Sequence, residues 1–137
     1  MLRSILAVVV GVILAGVVVL AVESIGHIVY PPPADLDASN PEALKAYVAH
    51  APIGVLLFVL LAWAAGSFVG GWSAARIARR APSFHAMIVG SLVLLSGIAT
   101  MLMIPHPLWF WIAGILAIVP VSFISSLLVT RRIGVTA

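Results

Sequence analysis

The sequence predicts an all-α polytopic membrane protein: an antiparallel bundle of four transmembrane helices, both termini cytoplasmic, with a short interfacial helix on the outer surface. Three observations lead there. Of the 137 residues, 64% are hydrophobic and 8% charged, against about 45–50% and about 25% in soluble domains. The apolar excess is collected into long runs of about 20 residues, each able to span a hydrocarbon core of roughly 30 Å at a 1.5 Å rise. The second observation is the placing of the six arginines. Arg3 precedes the first run, Arg76, Arg79 and Arg80 separate the second from the third, and Arg131 and Arg132 follow the fourth. The third is that Glu23, Asp35, Asp37 and Glu42 all fall at the opposite ends. Basic residues in short loops stay on the cytoplasmic side, which requires an even number of crossings.

The first helix is expected over about 4–30. It ends at Pro31-Pro32-Pro33, because proline disfavours helix in the residue before it and a proline run is extended. Arg3 and Ala21 resemble parts of a signal peptide. However, Ile5 to Val22 has no polar side chain, a stretch longer than the usual apolar region of about 7–15 residues. A retained helix is therefore expected, with Tyr30 as an interfacial anchor.

A polar connection leads to Asn40-Pro41-Glu42, where asparagine can cap a helix and proline fits its first turn. Ser39 and Glu42 offer an alternative capping box. The helix that follows, about 41–50, carries Leu44, Tyr47 and Val48 on one face, the pattern of an element lying on the membrane surface. Pro52 restarts the chain, and a helix over about 53–75 ends in small residues, with Gly66 and Gly70 four apart on a close-packing face.

After the basic turn comes a helix over about 84–104, with Gly90 and Gly97 one heptad apart. Pro105-His106-Pro107 makes an outer turn. The last helix, about 108–130, opens with Trp109, Phe110 and Trp111, expected in the aromatic belt, and carries Pro120 in its middle. Proline there frees the carbonyl of Leu116 and should kink the helix, with Ser122 or a neighbouring helix as replacement donor. The whole of 1–137 is read as a single integral membrane domain, and no internal repeat stands out.

Composition also excludes. Without cysteine there are no disulfides, iron–sulfur clusters or thiolate metal sites. The net charge of +3 does not point to nucleic acid, since the arginines are few, scattered and explained by topology. Arg76, Arg79, Arg80, Arg131 and Arg132 are topology determinants that also suit anionic headgroups of the lipid bilayer.

Glu23 and His27 are the sharpest candidate site. Four residues apart, they share one helix face, a stripe extended by Gly16, Val19, Leu20, Gly26 and Tyr30. Gly16 on that stripe, with Gly66, Gly70, Gly90 and Gly97, is expected to pack helix against helix. A carboxylate at membrane depth is costly and usually faces a bundle interior or watery cavity. The pair is suited to share a proton near neutral pH, or to offer one oxygen and one imidazole nitrogen to a cation. The competing account is an interfacial glutamate that closes the end of the bundle. His50 and His106 lie on the same outer side and extend the set to a candidate proton or divalent-cation site. Its spacing matches no known metal motif. His85 is expected to act as a cap or headgroup contact. The serines in the spans have no evident base at their level and suit interhelical hydrogen bonds better than catalysis.

The stretches Glu23-Ser24-Ile25-Gly26-His27-Ile28-Val29-Tyr30-Pro31, Gly70-Gly71-Trp72-Ser73-Ala74-Ala75-Arg76 and Pro105-His106-Pro107-Leu108-Trp109-Phe110 resemble the small four-pass inner-membrane proteins of proteobacteria that have no established activity. The resemblance spans nearly the whole chain and implies fold and location alone. The chain is unlike the small drug-efflux transporters, whose active glutamate lies mid-helix.

Three functions compete. The leading expectation is a non-enzymatic oligomeric or accessory component, its glycine faces binding further copies or another membrane protein, with no cofactor. A small proton- or divalent-cation-linked transporter using Glu23 and His27 comes second, and a membrane-embedded metal-dependent enzyme third.

Overall fold

The computed structural model describes residues 1–78 and 80–133, with side chains described as far as Thr130; Arg79 and the side chains of Arg131 and Arg132, expected to fix topology, lie outside them. The described chain forms α1 (Leu2–Val29), α2 (Pro41–His50), α3 (Ile53–Ala78), α4 (Pro82–Met103) and α5 (Leu108–Ile133). α1, α3, α4 and the Leu108–Thr130 part of α5 are long and apolar enough to cross a membrane. The protein thus has the makeup of a small integral membrane protein. Large apolar side chains such as Ile13, Leu20, Leu61, Leu95 and Leu116 are exposed, a surface that hydrocarbon accepts and water does not.

α3 packs on α1, α4 and α5 alike. Its sequence explains this, because Ala62, Gly66, Gly70, Gly71, Ala74 and Ala75 are all buried and let other backbones come close. Along α1, the contacts run from Gly11 against Gly70, through Ala15 against Gly66, to Gly26 against Phe58. The numbering rises on one helix as it falls on the other, so α1 and α3 are antiparallel. At the end carrying the arginines, Arg3 Nε donates to the Ile77 carbonyl at 2.6 Å, a cation at the negative end of α3.

The packed face of α1 differs from expectation. Gly16 is exposed, and a Cβ there would meet nothing within 4 Å; Leu20 is 66% exposed. The buried stripe is instead Ala7, Gly11, Ala15 and Gly26. Gly66, Gly70 and Gly97 do sit in close contacts, with α1 for the first two and with the Trp63 ring for the third, while Gly90 lies against Ser122.

The central core joins Leu56, Ala62, Trp63, Met101, Phe110 and Ile118. Phe110, expected in the aromatic belt, is fully buried and meets Trp63 edge-on at 5.5 Å. Towards the arginine end the interior turns small and hydroxylic. Ser122 Oγ donates to Ile118 at 2.9 Å and Ser125 Oγ to the carbonyl of Ser122 at 2.7 Å. α5 continues as helix through Pro120. The Ser122 hydroxyl therefore serves Ile118 and not the carbonyl of Leu116 that proline frees.

Asn40 caps α2 as its side chain accepts from the backbone N–H of Glu42 at 3.0 Å and of Ala43 at 3.4 Å. Ser39 does not close a capping box. Its hydroxyl and N–H both turn to Asp37 Oδ1, at 2.6 and 2.9 Å. Those two donors hold the Asp37 carboxyl below its ordinary range.

A candidate ligand cleft at the acidic end

α1 and α4 both lean on α3, but they meet each other mainly at the level of Gly11 and Val89. Beyond that level a cleft of about 670 Å³ lies between them, with α3 as its floor and Leu44, Tyr47 and Val48 of α2 at its end. The local sequence makes the gap. Gly16 contributes no side chain to it, and Gly97 leaves room for the Trp63 ring, which is tight against it.

Glu23, His27 and His106 all line this cleft. Glu23 is half-buried and His27 exposed on the next turn of the same helix. Trp63 of α3 lies close to the Glu23 carboxylate and lines the same cleft. His106 reaches the cleft from the turn between α4 and α5. Its Nδ1–H donates to the Ile104 carbonyl at 2.6 Å and its ring stacks on Phe110 at 4.6 Å. That bond leaves Nε2 without the proton in the neutral ring, free to accept. Ser96 and Thr100 add hydroxyls on the α4 side, the latter donating to the Ser96 carbonyl at 3.0 Å.

His50 does not join them. It lines a second, shallower hollow with Tyr30, Asp35, Leu36 and Tyr47 on the other side of α2, and its Nδ1–H donates to the Ala46 carbonyl at 2.9 Å. Among the described residues no three His, Asp or Glu side chains are grouped so as to hold a metal ion. Of the four residues expected to share a cation site, Glu23, His27 and His106 line one cleft, while α2 carries His50 to the other hollow. His85 is buried at the opposite end, its Nδ1–H donating to the Ala81 carbonyl at 3.0 Å.

Trp63 and Gly11 are cleft and packing residues that no ligand or catalytic motif singles out. Trp63 is a buried, polar-tipped aromatic of the central core close to Glu23. Gly11 was signalled by Ala7-Gly11-Ala15, small residues at every fourth position. No protein-family model, curated protein or solved structure matches the chain, so the cleft is read from its own residues.

Proposed function

We propose that this is a non-enzymatic, four-pass inner-membrane protein, with both termini cytoplasmic, that binds a ligand in the outer cleft and exchanges a proton at Glu23 and His27 as it does so. The observation that carries the reading is the convergence of Glu23, His27 and His106 on one open cleft. A glutamate that merely closed a bundle end would be covered, whereas this one faces space shared with two imidazoles. The groups facing it are His27 on its own helix, Trp63 from α3, Ser96 and Thr100 from α4, Tyr47 from α2 and His106 from the following turn. Among the described residues no lysine or arginine lines the cleft, so the cationic partner available to an ionised Glu23 there is an imidazole that has taken up a proton.

The glycine faces favour binding over assembly. Gly66, Gly70, Gly90 and Gly97 are filled by α1, Trp63 and Ser122 of the same chain. They are spent within one protomer and do not argue for further copies.

Trp63 supplies the test. Its indole lies against Glu23, so tryptophan emission of the purified protein in lipid nanodiscs should change through one proton titration. Glu23→Gln should abolish that transition and Trp63→Phe should remove its signal. An unchanged transition in folded Glu23→Gln would overturn the reading. Orientation is tested by introducing cysteine at Lys45 or Arg80: membrane-impermeant maleimide should reach the first from outside intact cells and the second not.

A further inference from the structure

Resting on that reading, we propose that the cleft takes a single-tailed amphipathic ammonium compound, its cationic head at Glu23 and its hydrocarbon tail between α1 and α4. The shape of the cleft comes first. Its lining extends along α1 from Val12 to His27, about 22 Å at 1.5 Å per residue, while one leaflet of hydrocarbon is only about 15 Å deep. The hollow is thus a groove long enough for an extended chain, and its volume of about 670 Å³ lies within the roughly 300–1,000 Å³ of small-molecule sites.

Its chemistry changes along that length. Val12, Ala15, Gly16, Val19, Leu92 and Val93 offer no polar side-chain group at one end, whereas Glu23, His27, Tyr47 and His106 gather at the other. A hydrated metal ion gains nothing from the apolar stretch and finds no trio of His, Asp or Glu ligands among the described residues. An amphiphile uses both parts.

Charge selects the head. Glu23 is the one carboxylate among the described residues lining the cleft, and the Lys45 ammonium of α2 is engaged by Glu42 at 2.9 Å. An anionic head would meet that carboxylate with no lysine or arginine among the described lining residues to offset it. Tyr47, Phe58 and Trp63 are aromatic residues lining the same cleft as the carboxylate, and aromatic rings attract an organic ammonium by cation–π interaction. A zwitterionic phospholipid brings a phosphate along with its ammonium, and among the described residues lining the cleft no lysine or arginine balances that phosphate. The occupant is therefore a free, phosphate-lacking ammonium amphiphile.

The experiment uses full-length protein in phosphatidylcholine nanodiscs and decyltrimethylammonium brominated on its tail, read by quenching of tryptophan emission. Saturable quenching is expected, with affinity reduced at least about tenfold by Glu23→Gln and also reduced by Gly16→Leu, at a position where an added Cβ meets nothing within 4 Å. Bromodecanol, with the same tail and no charge, should quench without saturation, and tetramethylammonium should not compete. Binding equal in wild type and Glu23→Gln, or equal for the alcohol, would overturn the proposal. Displacement of the probe by phosphatidylethanolamine would overturn it in favour of a membrane lipid. If the Glu23 titration is present in wild type while the probe fails to bind, the ligand class is wrong and the proton-linked reading stands. If neither is seen, both fall.

Discussion

Gly11 and Gly70 face each other where α1 crosses α3: a Cβ on Gly11 would lie 2.8 Å from the Gly70 carbonyl oxygen, and one on Gly70 2.5 Å from that of Gly11. Neither position can take a side chain unless the backbones part. Gly70→Ala and Gly11→Ala should each destabilise the protein by about 1–3 kcal/mol, the ordinary cost of overpacking. Gly16→Ala should stay within about 0.5 kcal/mol of wild type. Denaturant unfolding in detergent measures the difference. An equal loss at Gly16 would mean that the packed face of α1 has been wrongly identified.

That pair also shows what could be read from sequence. Span positions, the Pro31–Pro33 break and the Asn40-Pro41 helix start depend on neighbours in the chain, and they were legible there. The rotation of α1 was harder. The helix is apolar on every side, so no polar face marks which stripe turns inward, and Glu23 drew the stripe through Gly16 and Leu20. The turn that brings His106 to the cleft, and α2 carrying His50 away from it, depend on tertiary packing that no local spacing encodes.

Ser67 is wholly buried in α3 and its hydroxyl has no partner among the described residues. An unsatisfied buried hydroxyl costs about 1–3 kcal/mol. Ser67→Ala should accordingly leave the protein equally stable or raise its unfolding midpoint. A clear loss of stability would show that the hydroxyl has a partner when the protein lies in lipid.

Ala81, in the turn before α4, has φ 44° and ψ 56°, left-handed backbone that costs a residue with a Cβ roughly 1–2 kcal/mol. Glycine adopts it freely. Ala81→Gly is expected to stabilise by about 1 kcal/mol, seen as a higher midpoint in thermal unfolding. A lower midpoint would contradict the strained turn.

Asp37 titrates below its ordinary value because the Ser39 hydroxyl and N–H donate to the ionised form. Its folded value lies beneath the unfolded one of about 3.9. The turn is therefore fully supported above that pH and loses support as pH falls through the folded value. Ser39→Ala should move the Asp37 carboxyl resonance titration upward in NMR. A titration already at the ordinary value in wild type would remove the explanation.

The central claim is that the groove between α1 and α4 stands open beside Glu23. Because the chain has no cysteine, a single cysteine at Ser96, on the cleft wall, reports it directly. In nanodiscs this thiol should react with a small hydrophilic methanethiosulfonate reagent far faster than a cysteine placed at Val89, buried against Gly11. The decyltrimethylammonium probe should slow that reaction. Equal and negligible rates at the two positions would mean the cleft is closed in the membrane, and the function proposed for Glu23 would not stand.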